Sequence, residues 1–464
     1  MNLPLDDHAA MYITASRSRL HPPCLGLIQR FDTVISRETL DEHARDLISN
    51  PFGMGRRVVR AAVPGARPRW TPSTEVPAWA FRVRREPVSD AELAEIIDDE
   101  ISQQPDPLRN HGWRFLAVPT EDGGMMVINW TNHAFGDARS MLHSVFAPRE
   151  VWASETETKG LVQRPATLDE VSDVGVRLRS GVRGSLRLGR DAAVALWKPA
   201  RHGEELALLK PTVEALRRRR SRVGALSSRR VIALARVLHE DWKRVANAHG
   251  GSSNTLFLAM VGNLIRTARQ ARGDVDYRGA VNDRELRLLL PIDLSPFLSQ
   301  LSDSAADCTK NTIIASVVEL EPGAPSYGDL GSVRAATKVA IETALAQFQQ
   351  VSSNRPQGMV DAMQLLPNPI AHRVALRVQS DVDGVASNVG PMPPHIGVIG
   401  EHVATDMFLV ATPSRTDITG TFGRHDETST LSFVADPALL GPAGTLRERV
   451  AAEFDTWGVR ADFL

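Results

Sequence analysis

The chain has 464 residues, 42% of them hydrophobic, and its 54 basic and 55 acidic side chains leave a formal net charge of −1. This length corresponds to about three average domains with ample material for a core, and the balanced charge excludes a global electrostatic field that would attract nucleic acid. The two cysteines, Cys24 and Cys308, stand far apart outside any metal or redox pattern, so disulfide, zinc and thiol-nucleophile chemistry have no support and a reducing cytoplasm is expected.

The sequence predicts neither a secretory leader nor a membrane span. Asp6, Asp7 and Arg17 interrupt the first apolar residues, which a leader would keep continuous. No segment carries the about 18 uninterrupted apolar residues that a helix needs to cross a bilayer. The protein is therefore expected to be cytoplasmic, and any contact with lipid is expected to be peripheral.

Two helices are predicted in the N-terminal part of the chain. Ser36 precedes the first, and Ser89 with Glu92 forms a capping box before the second. The apolar stripes of these helices are Leu40, Ala44, Leu47 and Ile48 in the first and Leu93, Ile96, Ile97 and Ile101 in the second. Stripes with helical spacing indicate faces that pack on a core, so no function is assigned to them.

A basic side chain and a carboxylate stand where a predicted strand gives way to a predicted helix. Residues 125–130 follow a Gly-Gly turn and have the character of a strand, while residues 140–146 have helical spacing. Between them lies Asn132-His133-Ala134-Phe135-Gly136-Asp137-Ala138. His133 is thus predicted at a strand end, where the backbone can aim it into a cleft as a general base.

From about residue 150 the sequence becomes irregular and basic, and this segment includes the run Arg217-Arg218-Arg219-Arg220. Clustered guanidinium groups bind phosphates, the phosphopantetheine arm of an acyl carrier, or an anionic membrane surface. A solvated linker is the other interpretation, because charge runs are usually exposed. The sequence therefore predicts an N-terminal half over 1–150, a basic crossover linker over 151–228 and a C-terminal half over 229–464.

The second half again mixes strands with helices. Strands are predicted at residues 230–234, 407–410, 418–422 and 430–434, and helices before Gly250, from Asn254 to Ile265, from Val333 to Phe348 and around Leu446, Val450, Phe454 and Trp457. His402 and Asp406 repeat the His-x-x-x-Asp spacing before one of these strands and are interpreted as a structural pair. Both halves are therefore predicted to belong to the α/β class.

A set of short motifs extends over nearly the whole chain. Residues 107–114, Pro-Leu-Arg-Asn-His-Gly-Trp-Arg, precede the predicted strand and the His133 motif. The other motifs are Leu3-Pro4-Leu5-Asp6, the segment His21 to Gly26, Asn254 with its helix, Leu286-Arg287-Leu288-Leu289-Leu290-Pro291 and Ser387-Asn388-Val389-Gly390-Pro391. In order and spacing they resemble the bacterial wax ester synthase/diacylglycerol acyltransferase family, whose signature is HHxxxDG after a PLW-type segment.

The resemblance implies an α/β fold of two chloramphenicol-acetyltransferase-like halves with a reaction channel between them. It implies an enzyme that moves an acyl group from coenzyme A, or from a carrier-protein thioester, to a hydroxyl, and that forms an ester without a further cofactor or a metal. Two alternatives stay open. One is an amide-forming enzyme, since the condensation domains of peptide synthetases share HHxxxDG, and the other is a non-catalytic relative that binds a lipid or a partner.

The expected partners follow from this chemistry. They are an acyl-thioester donor, a small-molecule or lipid acceptor, an acyl carrier protein and a peripheral membrane contact, with no nucleic acid.

The resemblance also assigns roles to individual residues. His133 is the base, and Asp137 holds the His-bearing loop by capping a helix or by pairing with an arginine, for which Arg287 is the candidate. The residues expected to line the substrate site are Asn132, Gly136, Asn254, Ser387 and Asn388.

The chain departs from the family pattern in four places. Asn132 replaces the first His, Ala138 replaces the Gly, Thr255 replaces the Asp of an Asn-Asp motif, and the stretch up to Ser295 lacks the family's arginine. The second His is the base in that family, so Asn132 does not remove catalysis. Storage-lipid synthesis loses support, and an alcohol or amine of specialised metabolism is favoured as acceptor.

Overall fold

The structure is a computed structural model in which strands and helices alternate along the chain. It describes residues 3–5, 9, 12–13, 24–50, 53–63, 66–73, 78–108, 111–142, 146, 170–176, 178–179, 182, 229–273, 285–293, 313–354, 382–412, 416–442 and 444–464. The predicted α/β class is confirmed.

The elements are named here in chain order. In the first half, strands β1 to β7 are Leu3–Pro4, Cys24–Phe31, Arg56–Val59, Arg69–Pro72, Phe81–Val83, Trp113–Pro119 and Met125–Asn132, and helices α1 to α3 are Arg37–Ser49, Asp90–Ser102 and Ala138–Ser140. In the second half, strands β8 to β17 are Val231–Leu238, Leu286–Asp293, Ile313–Leu320, Gly384–Pro391, Val398–Ile399, His402–Val403, Asp406–Ala411, Ile418–His425, Thr428–Ala435 and Asp462–Phe463. Helices α4 to α7 are His239–Ala248, Ser253–Arg272, Gly331–Asn354 and Leu446–Trp457.

Two large mixed sheets organise these elements. The first has the strand order β14-β2-β7-β6-β5, and the second has the order β10-β9-β11-β15-β16-β8-β17. β5 lies parallel to β6, and β11 lies parallel to both of its neighbours, whereas the other pairs are antiparallel. β1, β4 and β3 form a small separate sheet, and β12 pairs with β13.

β7 in the first large sheet and β16 in the second are buried on both faces, since both their odd- and even-numbered residues are buried. One face of the first sheet packs on α1 in a cluster that includes Leu27 and Phe115, called here the first-half core. Its other face, around Trp130, packs on α2 and reaches Ile232 of the second sheet. The far face of the second sheet packs on α4, α5 and α7 around Phe433.

Strand β14 comes from the second half of the sequence but lies in the first sheet, where it pairs with β2. As an edge strand it presents carbonyl groups that need partners. The hydroxyl of Thr430 donates to Met407 O over 2.6 Å, and that of Ser432 donates to Leu409 O over 2.8 Å. The two sheets are thus joined along this edge, so the two sequence halves share a sheet.

The first two helices begin at the predicted caps. Ser36 Oγ accepts a hydrogen bond from Thr39 N over 3.1 Å, and Ser89 with Glu92 completes the predicted capping box. The stripe residues predicted for α1 are buried, and so are three of the four predicted for α2.

The interpretation of His402 and Asp406 as a mutual pair is wrong. His402 Nδ1 lies 2.9 Å from Thr33 Oγ1, and Asp406 Oδ2 lies 3.3 Å from Arg236 Nη1. The two residues stand on separate strands joined by a turn, which directs their side chains to different neighbours. Both are structural, but through other partners.

Part of the basic crossover is helical rather than irregular. Residues 170–176, 178, 179 and 182 are helical, and this segment is called the crossover helix. The run Arg217–Arg220 lies outside the described residues, and the boundaries 1–150, 151–228 and 229–464 stay a prediction. None of the helices in the described ranges combines the length and the apolar character that crossing a bilayer requires.

Candidate active site

The loop that carries His133 begins at the end of a buried strand inside its sheet. β7 lies between β2 and β6, and all its residues are buried. His133–Phe135 then form a single 3₁₀ turn, and α3 begins at Ala138. His133 therefore lies at a strand end, as predicted, on a short turn whose direction is set by the sheet.

Asn132 holds this turn through its buried side-chain amide. Its side chain is 0% exposed, its Oδ1 accepts from Ala134 N over 3.0 Å, and its Nδ2 donates to Pro105 O over 3.1 Å. Its backbone N–H donates to Gly112 O over 2.9 Å. The Asn132 amide thus ties the turn to the preceding segment, and its predicted contact with substrate stays a prediction.

Gly136 and Asp137 close the loop onto α3. Asp137 is 2% exposed and caps the helix, as predicted, since its Oδ1 accepts from Ser140 N over 2.7 Å. A Cβ atom on Gly136 would lie 2.8 Å from Ser140 Cβ, a distance that real Cβ atoms essentially never show. Gly136 thus permits close packing of the loop, and its predicted contact with substrate stays a prediction.

Arg56 and Trp70, which the sequence did not single out, clamp the turn at Phe135. Arg56 Nη2 donates to Phe135 O over 2.7 Å, and the guanidinium carbon lies 4.1 Å from the centre of the Trp70 ring. The Trp70 and Phe135 ring centres are 4.9 Å apart. Neither residue stands in a motif, and the contact exists only once β3 and β4 fold against the loop, so no sequence signal identifies them.

His133 is partly exposed and lies against an aromatic ring. The ring centres of His133 and Tyr12 are 4.4 Å apart, with planes tilted by 36°. This neighbour restricts rotation of the imidazole and leaves part of it accessible. A neutral imidazole held in this way can accept a proton from a bound hydroxyl or amine.

Arg287 does not pair with Asp137. The register of β9 and β10 places Arg287 opposite Glu319, and its Nε lies 3.2 Å from Glu319 Oε1. Asp137 Oδ2 accepts no hydrogen bond from any residue that the structure describes. Asp137 therefore acts on the loop as a helix cap, and Arg287 belongs to the second sheet.

Two predicted site residues of the second half come together. Asn388 Oδ1 accepts from Gly390 N over 2.9 Å, and Asn388 Nδ2 donates to Asn254 Oδ1 over 3.3 Å. The first bond turns the Asn388 nitrogen towards Asn254, which must then offer its oxygen. Asn254 is half-buried, and its Nδ2 has no acceptor among the described residues. Two N–H donors of Asn254 are therefore available to a ligand.

Local structure explains why Asn254 is free for this role. The cap of α5 is Ser252, whose Oγ accepts from Thr255 N over 3.3 Å in a capping box. Asn254 thus lies within the first turn and does not cap the helix. Thr255, one of the departures from the family pattern, is the second member of that box.

A β-bulge follows Asn388 in β11, which stays paired with β15 through Gly390 and Pro391, and the bulge region borders the first-half core. Val389 and Met392 pack in that core together with Phe135 of the His133 turn. Val389, which follows Asn388, and the His133 turn therefore contact one core from the two halves of the chain. Ser387 precedes Asn388 in β11 and faces the other side of the strand, so its predicted place at the site stays a prediction.

A small cavity of about 40 Å³ lies between α1, β2 and β7. Its lining residues are Leu27, Gln29, His43, Asp46, Leu47, Asn129, Phe146, His395, Ile396 and Val398. Asn129 is 2% exposed, its Nδ2 donates to Gln29 Oε1 over 3.1 Å, and its Oδ1 accepts from none of the described residues. Buried polar groups of this kind usually hold water, and His133 does not line the cavity.

The cavity makes stability depend on pH through His43. Burial lowers the pKa of His43 from 6.5 to about 4. Between these values the unfolded chain binds more protons, so the free energy of unfolding falls as the pH falls, by at most about 1.4 kcal/mol per pH unit. Urea unfolding of His43→Gln over this range should show a flatter pH dependence than the parent. His402→Gln is the control, and equal slopes for the parent and His43→Gln would contradict the assignment.

Cys24, the cysteine that lies within the described residues, supplies no nucleophile to this site. Cys24 is 1% exposed, and burial raises the pKa of its thiol to about 12. Since the thiolate is the nucleophilic form, Cys24 is inert. Cys308 lies outside the described residues.

No protein-family model and no curated protein sequence matches this chain. Over 98% of its length it is similar to the wax ester synthase/diacylglycerol acyltransferase from Marinobacter aquaeolei VT8, with 13% identity, a TM-score of 0.56 and 98% of that chain covered. It is similar over 98% to the first condensation domain of the CDA synthetase, with 11% identity, a TM-score of 0.56 and 96% covered. Over 98% it is similar to trichothecene 15-O-acetyltransferase from Fusarium sporotrichioides, with 13% identity, a TM-score of 0.56 and 94% covered. The predicted two-lobed, chloramphenicol-acetyltransferase-like fold is thereby confirmed.

Proposed function

We propose that this protein is an acyltransferase that moves an acyl group from a coenzyme A or carrier-protein thioester to an acceptor hydroxyl, with His133 as general base. The proposal is carried by the His133 turn, which a buried strand, an Asn132 amide and an Asp137 cap hold in one shape. The partly exposed imidazole stands on that turn in a two-lobed fold shared with acyltransferases. No additional cofactor is required.

The reaction needs one base and a means of stabilising an oxyanion. The acceptor hydroxyl gives its proton to the imidazole of His133 while its oxygen attacks the thioester carbonyl carbon. The carbonyl π electrons move to oxygen and form a tetrahedral oxyanion. As this intermediate collapses, the C–S bond breaks, and the imidazolium returns the proton to the leaving thiolate. The products are an ester and a free thiol.

Asn254 is the candidate group for orienting the acceptor or for donating to the oxyanion. Its oxygen is engaged by Asn388, so its N–H groups face away from that contact. Donors that are already oriented before the reaction stabilise developing charge without reorganisation. Asn388 acts through Asn254 and is a positioning residue.

Amide formation is the second candidate reaction. It needs the same base, and the likeness to a condensation domain is as high as that to the ester-forming enzymes, with a TM-score of 0.56 in each case. The departures at Asn132 and Thr255 keep local structure, since one residue caps the His133 turn and the other completes the α5 capping box. These two departures therefore do not distinguish a hydroxyl acceptor from an amine acceptor.

A panel of acyl-coenzyme A and acyl-carrier thioesters, offered with alcohols and amines and analysed by mass spectrometry, tests the proposal. The expected result is an ester product that the parent forms and a variant without His133 does not. Amide products without any ester would identify amide formation as the reaction. If the protein shows neither acyl transfer nor thioester hydrolysis with any donor, a binding protein is the remaining function.

Replacement of Asn254 by Ala is expected to lower kcat/KM by about 10²-fold, the effect of removing one oriented donor to an oxyanion. Asn388→Ala should have a smaller effect, because Asn254 keeps its donors and loses only their orientation. Steady-state kinetics with the active substrate pair measures both. Asn247→Ala, at an exposed position on α4, is the control, and an Asn254→Ala enzyme as active as this control would exclude the role.

A further inference from the structure

The strands β3 and β4 present two faces to different parts of the molecule. They pair in antiparallel register, with Val58 opposite Trp70 and Val59 opposite Arg69. Residues that stand opposite each other in such a pair share a face of the sheet. Val58 and Trp70 are buried in the first-half core, so their face is the inner one. Arg69 therefore belongs to the outer face.

Glu170 of the crossover helix fastens this outer face. It is 4% exposed, and its Oε1 pairs with Arg69 Nη1 over 2.7 Å. Its Oε2 accepts from Ala62 N over 3.0 Å and from Val63 N over 2.9 Å. One buried carboxylate thus joins β4 to the chain that leaves β3. Such a contact is firmly held, because removal of one partner leaves a buried charge without compensation.

Asp173 repeats this arrangement nearly one helical turn further along the same helix. It is 9% exposed, its Oδ2 accepts from Arg67 N over 2.9 Å, and its Oδ1 accepts from Arg67 Nε over 2.9 Å. Residues three apart lie on one face of a helix. The crossover helix therefore turns two carboxylates toward the segment that connects β3 with β4.

The inner face of the two strands contacts the His133 turn. Trp70 follows Arg69 in β4, and its ring centre lies 4.1 Å from the guanidinium carbon of Arg56 in β3. Arg56 Nη2 donates to Phe135 O over 2.7 Å, and the Trp70 and Phe135 ring centres are 4.9 Å apart. Phe135 ends the 3₁₀ turn that begins at His133. The β3–β4 pair thus lies between the crossover helix and the His133 turn.

We infer that Glu170 is a positioning residue for His133, because it holds the β3–β4 pair against the turn that carries the imidazole. This role rests on the proposed function, in which His133 is the general base. Protein interiors are close-packed and transmit displacements, so release of the outer face of the two strands loosens the Arg56 and Trp70 contacts on the inner face. The segment between the two predicted halves thereby contributes to catalysis without contacting substrate.

Glu170→Ala is expected to lower kcat about 10²-fold and to leave KM within about twofold of the parent, because a small displacement of the base affects the transition state more than substrate binding. Glu170→Gln keeps an acceptor for the two amides and should lose less. Glu100→Ala is the matched control, since Glu100 is 3% exposed and accepts from Arg114 Nε over 2.6 Å on the opposite face of the first sheet. An equal fall in kcat for both Ala variants would reduce the effect to general stability and overturn the inference.

A double-mutant cycle tests whether the effect passes through the strand pair. Arg56→Gln should lower kcat by a factor similar to that of Glu170→Ala. Glu170→Ala added to Arg56→Gln should lower kcat by no more than about twofold further, because both changes release the same turn. Two independent effects that multiply in the double variant would contradict this route.

Heteronuclear NMR of histidine-labelled protein follows the imidazole without any substrate. The His133 signal is the one lost in His133→Ala. Glu170→Ala and Arg56→Gln should shift this signal, Glu100→Ala should not, and the signal of His249 in the second half should stay in place throughout. An unmoved His133 signal in Glu170→Ala overturns the inference whether or not an active donor is found. A shifted signal in a protein without acyl transfer refutes the proposed function and upholds the placement of His133 by Glu170.

Discussion

His133→Ala is expected to lower turnover by roughly 10²- to 10⁴-fold, the usual contribution of a general base, while the melting temperature stays near that of the parent. The imidazole is partly exposed and stands on a turn whose shape is set by other groups. Its removal deletes a proton acceptor from the transition state and little from the core. Activity with the true substrate pair and a thermal melt are both measured on the purified variant.

His402→Ala is a matched control, because it removes the histidine of the other His-x-x-x-Asp spacing. His402 contacts Thr33 on the surface and has no place at the His133 site. Its replacement should leave turnover unchanged. If the His133→Ala variant is as active as the parent, His133 is not the general base. If the parent is inactive and the variant is less stable than the parent, a binding protein is favoured.

Asp137→Ala is expected to lower both stability and activity. It removes the acceptor of the Ser140 N–H inside a buried loop, which costs about 1 to 3 kcal/mol in the free energy of unfolding. A loosened loop misplaces His133, and a displacement of about 1 Å in a catalytic group reduces the rate about 10²-fold. Urea unfolding and steady-state kinetics measure the two effects.

Asp137→Asn separates the cap from the charge. Asparagine keeps an oxygen at the Oδ1 position, so it can accept from Ser140 N and hold the loop. Since Arg287 pairs with Glu319 instead of Asp137, the variant is expected to retain most of the stability and activity that Asp137→Ala loses. An Asn variant as impaired as the Ala variant would contradict a capping role and would require a partner for the carboxylate.

Much of the local structure, including the strand and turn that carry His133, was predictable because it depends on residues close together in the sequence. The caps at Ser36 and Ser89 lie within one turn of the helices they begin, and the strand before His133 is evident from its apolar run. The Asp137 cap is three residues from its donor. Local hydrogen bonds and periodicity are properties of short segments, so a single sequence contains them.

The sequence alone determined the α/β class, the strand–turn–helix that presents His133 and, through the order of its motifs, the two-lobed fold. Only the tertiary structure decided that Asn132 is buried, that Arg56 clamps the His133 turn, and that Arg287 faces Glu319. It also decided that β14 lies in the first sheet. These features depend on strand register and on which distant segments meet, and such contacts are fixed by the packing of the whole chain rather than by any short stretch of it.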